Sequence, residues 1–328
     1  MSQFTSTGEY MGFQLTKSTD PKEWDALVAS SQQGSIFSDS RYLQALSQQH
    51  TCYFVKTTYG EILAGVAVME DNRVMHSAPF PFAPYQGIMF GKVINIQPTH
   101  KRVTSEFRIT EFLIESLIDQ YGNFNMALPP SFTDMRPFQW HNYHDPFAPR
   151  FNIRLRNTAI LDFSVVDSES YLMNIRSVRR QESKKSSAEI LDSMDVEEFV
   201  DIYMKTFQRQ DIEIDEGSLS MVRRICVSAL GNCYGRLSKA VVNGSTASMS
   251  LFVFDNNCGY YLFGANDPDF RNSGASSKLM INNILNLSAK GLNKIDFVGV
   301  NSPNRGDYKL SFGPTLEHYF EVELREYK

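Results

Sequence analysis

Short apolar runs and amphipathic stretches follow one another along the chain, and the same order of elements can be read twice. Residues 12–15 read as a strand, and Asp20 followed by Pro21 marks a helix start, because a short carboxylate caps orphan amides and proline suits the first turn. Ser38-Asp39-Ser40 opens a second helix expected to reach Gln48. Strands are predicted over 52–57, 62–69 and 74–77, with turns at Tyr59-Gly60-Glu61 and Glu70-Asp71-Asn72. A proline- and aromatic-rich loop over 79–87 interrupts. Phe107, Phe112, Leu113 and Leu117 then share one face of a helix over 104–121, and a strand over 125–128 follows.

The second half repeats the plan. A strand over 159–163 leads to one helix over 168–186 with a basic C-terminal part, then a short strand over 188–191. Helices over 196–208 and 217–230 precede three strands, 235–241, 247–254 and 259–264, with Asn243-Gly244 and Asn256-Asn257 as hairpin turns. Helix, strand (295–298), helix and a last strand (316–324) close the chain. The halves share no visible sequence identity, so element order alone carries the expectation of a duplicated α+β unit with its boundary near 150–157.

With 328 residues the chain has room for two ordinary domains. It is 42% hydrophobic and 21% charged, which places it among globular proteins. A formal charge of −5 gives no general support for nucleic-acid binding, although a local basic patch still suits phosphate. Four cysteines (Cys52, Cys226, Cys233, Cys258) lack metal-binding spacing and read as free thiols. His141 and His144 lie on a proline-flanked loop with no third ligand nearby, so no metal is expected. Neither a signal peptide in the opening ten residues nor an apolar run of the ~18 residues a membrane span needs is present. A cytoplasmic protein is expected. There is no Ser–His–Asp order and no nucleophile elbow, so hydrolase chemistry is not indicated.

The last seventy residues concentrate the candidate chemistry. The strand 260–263 runs through a polar, glycine-containing turn into a helix N-terminus, where backbone N–H groups and the helix dipole favour phosphate. Asp296 interrupts an apolar strand, and a buried carboxylate there needs a partner, whether it caps the following loop, pairs with a Lys or Arg, or serves a site. Lys309 follows Tyr308 and precedes Phe312; it is either a solvated lysine or a fixed positive charge. Arg176 and Arg180 stand four apart in a basic run with Arg179, Lys184 and Lys185, which is either a solvated face or a phosphate contact. The loop holding Tyr85 and Gln86 is too apolar for solvent and either packs on the core or walls a pocket.

The element order resembles the GNAT acyltransferase fold, and two such units in tandem resemble the FemABX-type acyltransferases of bacterial envelope pathways. Asp296-Phe297-x-Gly299 followed by Tyr308-Lys309-x-x-Phe312-Gly313 is similar to that family's DF-x-G…FK-x-x-FG signature, with tyrosine where members usually carry phenylalanine. The basic run 177–185 and the opening Trp24-x-x-Leu27 with Gly34-Ser35-Ile36-Phe37 are similar as well. Arg271-Asn272-Ser273-Gly274-Ala275-Ser276 matches the donor loop R/Q-x-x-G-x-G/A up to its final position, where Ser276 stands. No long heptad arm separates the helices.

The resemblance implies two tandem GNAT-like domains with mixed, mostly antiparallel central sheets: 1–155 on the acceptor side and 156–328 on the donor side. It implies an N-acyltransferase taking an acyl group from acetyl-CoA or another acyl-CoA, without a metal, to an amine on a sugar or cell-envelope precursor. Lys309, Asp296 and Tyr308 would be catalytic. Residues Arg271, Asn272, Ser273, Gly274 and Ala275 would hold the donor's pyrophosphate. Tyr85, Gln86, Arg176, Arg180 and Asn301 would face a small-molecule, nucleotide-linked or lipid-linked sugar. Two alternatives are an aminoacyl-tRNA donor acting on a peptidoglycan precursor and a non-catalytic binding module.

Overall fold

The computed structural model describes residues 12–47, 49–71, 74–76, 80–164, 168–209 and 212–325. The opening ten residues, Gln48, Asn72, Ser77 and Pro79, on which sequence expectations fell, lie outside the described residues. The chain divides into two compact units, one running to Arg156 and resuming at His318, the other Asn157–Glu317.

In the first unit the elements are β1 (Phe13–Lys17), α1 (Pro21–Ser30), α2 (Ser40–Leu46), β2 (His50–Thr57), β3 (Ile62–Asp71), β4 (Val74–Met75), β5 (Met89–Phe90), α3 (Lys92–Asn95), α4 (Thr99–Tyr121), β6 (Asn125–Ala127), α5 (Arg136–Trp140) and the start of β7 (Arg150–Asp162). Asp20 caps α1 by accepting the Lys22 amide at 2.9 Å, and Asp39 caps α2 through Arg41. Antiparallel β1, β2 and β3 form the sheet, with β4 and β5 both on β3. β3 is apolar and buried from Leu63 to Met69, as expected of a strand covered on both faces. Helix α4 begins five residues earlier than its periodicity predicts and ends at Gly122, whose φ of +73° is a left-handed stop. It buries Ile109, Phe112, Leu113 and Leu117 in the unit's core.

The second unit holds the rest of β7, α6 (Ser168–Asn174), α7 (Ser177–Lys185), β8 (Glu189–Asp192), α8 (Val196–Gln208), α9 (Glu216–Gly231), β9 (Gly235–Val242), β10 (Ser245–Phe254), β11 (Cys258–Asn266), α10 (Ala275–Ala289), β12 (Lys294–Asp296), α11 (Pro303–Leu310) and the start of β13 (Thr315–Arg325). Strands β8, β9, β10 and β11 pair antiparallel, β11 pairs parallel with β12, and β12 pairs antiparallel with β7. Helix α10 buries Leu279, Met280, Ile284 and Leu287.

Two expectations are corrected. The single helix over 168–186 is two helices, broken where Arg176 takes extended backbone (φ −55°, ψ 134°). The sequence places the closing strand wholly in the second domain. From His318 onward it belongs to the first unit, because Glu321–Glu323 pair with β6 and Val322 is buried in that unit's core.

Candidate functional site

Strands β11 and β12 part company at the centre of the second unit. Their parallel ladder ends at Tyr260 opposite Asp296, while β11 runs on to Asn266. Just past the split β11 carries a bulge: Leu251 faces Phe263 and Phe252 faces Tyr261, so Leu262 opposes no residue of β10. Bulges of this kind re-aim backbone and often border active sites. A cavity of about 390 Å³ opens there, walled by Tyr261, Leu262 and Gly264 of β11, Tyr203 and Phe207 of α8, Ser276 of α10 and Tyr308 of α11. Its lining contains the cations Arg209, Arg305 and Lys309 and no carboxylate. Such a wall favours an anion or a centre that gains negative charge.

Lys309 is half-buried in this wall. Its Nζ donates to the carbonyls of Phe297 (2.8 Å) and Val298 (2.7 Å) and sits 5.1 Å from the Tyr261 ring centroid. An ammonium has three donors, so one remains for a ligand. Burial lowers the Lys309 pKa to about 8; Asp296 pulls it back up and Arg305 adds to the lowering.

The carbonyls that Lys309 gathers belong to a turn folded by Asp296-Phe297-Val298-Gly299. Val298 (φ +35°) and Gly299 (φ +52°) both take left-handed backbone, which is strained for a β-branched residue. Asp296 holds the turn from behind. It is 2% exposed and accepts the Val298 amide (2.7 Å) and the Thr158 hydroxyl (2.5 Å). The structure therefore brings Tyr308 and Lys309 to the cavity, while Asp296 lies outside its lining.

Tyr308 packs on Phe312 and under the Arg179 guanidinium at 5.2 Å. Burial pushes its phenol up, against the Ser276 hydrogen bond, the Arg179 charge and the Ser277 hydrogen bond, so it stays a protonated donor at neutral pH. Arg179 also donates to Glu182 and Ser277, which ties α7 to the first turn of α10.

The predicted donor loop forms the entry to α10. Arg271 and Asn272 are exposed, and the Ser273 hydroxyl donates to the Phe270 carbonyl (2.6 Å) and accepts the Ala275 amide (3.2 Å). None of Arg271, Asn272, Ser273, Gly274 or Ala275 lines the cavity; Ser276 is the loop's contribution. Gly274 has φ +68°, and a Cβ there would lie 2.4 Å from the Glu182 carbonyl oxygen. Gly274→Ala is therefore expected to destabilise the protein by at least about 1–2 kcal/mol, from the left-handed backbone alone. Urea unfolding checks this, and an unchanged midpoint would contradict the close approach of α7.

The other predicted binding residues have local partners. Arg176 pairs with Asp307 through two 3.0 Å bonds. Arg180 donates to the Leu172 and Met173 carbonyls, closing the end of α6. Arg176 is the extended N-cap of α7 and its carbonyl accepts the Arg180 amide (3.4 Å), yet the two side chains turn to different partners. Asn301 exchanges two 2.8 Å hydrogen bonds with the Asn157 backbone. In the first unit, Tyr85 and Gln86 are each 3% exposed; Tyr85 packs on Phe37 and Tyr319, and the Gln86 amide bonds the Ala127 carbonyl. Sequence reasoning did not single out Arg209, Arg305, Tyr261 or Leu262. Arg305 had a usable signal, since it stands four residues before Lys309 on α11; the bulge at Leu262 left none.

Among the described residues no group of three or more His, Cys, Asp and Glu is placed to hold a metal ion, and no helix is long and apolar enough to cross a membrane.

Residues 171–310 match the family model for the acetyltransferase (GNAT) domain. By sequence, no curated protein matches the chain. Among solved structures, FemX is similar over 94% of this chain and 96% of its own, with a TM-score of 0.65 and 11% identity. A conserved protein of unknown function from Bacteroides thetaiotaomicron VPI-5482 is similar over 95% and 100%, with a TM-score of 0.58 and 14% identity. A tandem GNAT protein from the clavulanic acid biosynthesis pathway is similar over 95% and 98%, with a TM-score of 0.54 and 9% identity. At these identities the likeness is one of fold.

Proposed function

We propose that this chain, a GNAT-type acyltransferase with the FemABX-like tandem fold, moves an acyl group from a thioester, acetyl-CoA or another acyl-CoA, to an amine on a sugar or cell-envelope precursor. The observation that carries the reading is the bulge at Leu262, where β11 leaves β12 on the wall of a cavity lined by Lys309. An acyl transfer places negative charge first on the carbonyl oxygen and then on the leaving thiolate, and donors held at that point supply most of the catalysis.

The lining fits such a donor: aromatic walls for an acyl-thioester arm, three cations for its negative charge and no carboxylate to oppose it. When bound, the thioester supplies an activated carbonyl; the amine attacks it directly, the C–N bond forms as the C–S bond breaks, and the proton the amine loses passes to solvent, from which the phenol is restored. The remaining work is this chain's. The backbone at Leu262 and the free donor of Lys309 support the developing oxyanion. The Tyr308 phenol, kept protonated by burial, donates toward the leaving thiolate. Asp296 acts as a positioning residue: it fixes the turn whose carbonyls hold Lys309 and is that lysine's counter-charge. Arg176 holds the Asp307 carboxylate, and Arg180 and Asn301 hold local backbone.

The same cationic wall also favours a second donor, aminoacyl-tRNA, because the ester-linked amino acid of such a molecule is flanked by phosphate. The test is incubation of the purified chain with acyl-labelled acetyl-CoA and a panel of amino sugars and nucleotide-linked amino sugars. The reading expects N-acyl product and free thiol in equal amounts, unaffected by RNase. Product that appears only with aminoacyl-tRNA and disappears with RNase would transfer the assignment to the second donor; no product with either would overturn both.

A further inference from the structure

The first unit contains a cavity of about 210 Å³ that the proposed reaction does not use. Its walls are polar and of both signs. Arg102 and Glu106 stand one turn apart on α4, and Asp134 faces them from the loop before α5. The Arg102 Nε to Glu106 Oε1 distance is 3.7 Å, an ion pair too long for a hydrogen bond, so both groups keep hydrogen-bonding capacity. Asp134 is clamped by Arg136 through bonds of 2.8 and 2.6 Å and presents a fixed, largely satisfied carboxylate.

Hydrogen bonds and ring packing hold Gln33, Phe90 and Phe132 in the lining. Gln33 is 5% exposed; its Oε1 accepts the Phe90 amide (3.3 Å) and its Nε2 donates to the Ser131 carbonyl (3.4 Å). Phe90 and Phe132 also line the cavity, with ring centroids 5.8 Å apart and planes within 20°. The lining therefore offers an ionic pair, a guanidinium beside a carboxylate, and an aromatic pair.

We propose that this cavity binds a small zwitterion, a free α-amino acid, with its ammonium on Glu106, its carboxylate on Arg102 and its side chain against Phe90 and Phe132. A lone cation would leave Arg102 facing it, and a lone anion would meet Glu106 and Asp134. A zwitterion replaces one long ion pair with two charge-assisted hydrogen bonds. The volume lies below the ~300–1,000 Å³ of drug-sized sites and suits a small metabolite. Burial raises the Glu106 carboxyl, Arg102 lowers it in part and Asp134 raises it again; an ammonium at that place relieves this cost. The inference stands apart from the acyl-transfer reading, since no residue is shared between the two cavities.

The test is isothermal titration calorimetry of the full chain with each free proteinogenic amino acid, then with the N-acetyl and amide derivatives of any that binds. At least one free amino acid should bind, and blocking either charged group should weaken it tenfold or more. Glu106→Gln and Arg102→Gln should each weaken it tenfold or more with thermal midpoints retained, and Arg305→Ala in the second unit should leave it unchanged. Absence of binding by every free amino acid, binding indifferent to both substitutions, or binding abolished by Arg305→Ala would overturn the assignment. If one substitution unfolds the chain, the other still decides.

Discussion

Replacing Lys309 with alanine is expected to lower acyl transfer by about 10²- to 10³-fold, the usual cost of removing one donor from a developing oxyanion. It also leaves the carbonyls of Phe297 and Val298 without the Nζ donor, so a loss of about 1–3 kcal/mol of stability should accompany it. Chemical denaturation separates the two effects: at temperatures where the variant is folded, the activity loss should persist. A folded, fully active variant would remove Lys309 from the reaction. The group also leaves a pH signature. Its pKa is about 8 in the native state against an ordinary 10.5, so above pH 8 the native chain sheds this proton before the unfolded chain does. The unfolded state then binds more protons, and stability contributed by this group rises with pH from about 8 to 10.5. That rise should be missing in Lys309→Ala. Activity that depends on the ammonium should fall as pH passes through about 8.

Asp296→Ala is expected to cost about 1–3 kcal/mol for each buried donor it leaves unsatisfied. The variant would strand the Thr158 hydroxyl and the Val298 amide, release a strained turn and deprive Lys309 of its counter-charge. Asp296→Asn keeps the shape and should cost less, while moving the pH limit of activity downward, because Lys309 would lose the charge that holds its pKa up. Urea unfolding of both variants and the pH profile of the asparagine form check this. A cost under about 1 kcal/mol for Asp296→Ala would show that the turn does not need its carboxylate.

Much of the architecture was legible because it is written in local chemistry. Asp20 and Asp39 announce helices in the sequence, and both cap them in the structure. The spacing of Asp296, Gly299 and Lys309 was readable as a motif, and its physical content is now plain: a left-handed turn, a carboxylate behind it and a lysine gathering its carbonyls. What stayed hidden depends on contacts far apart in sequence. Arg180 looked like part of a phosphate-binding face, but the chain breaks at Arg176 and turns it onto the end of α6. Asn301 looked like a ligand contact and is satisfied by Asn157, 144 residues away. Arg209 and Arg305 meet Lys309 around one cavity only through tertiary packing, and the bulge at Leu262 is a matter of strand register, which residue type does not reveal.

Acyl transfer by this chain requires the cavity beside the β11–β12 split to accept the acyl donor. Calorimetric titration with desulfo-CoA, which cannot react, tests this most directly when run on the unaltered chain and on Arg305→Ala. Binding by the unaltered chain, weakened at least fivefold in Arg305→Ala, is the predicted result. No binding by the unaltered chain, or equal binding by both, would contradict it.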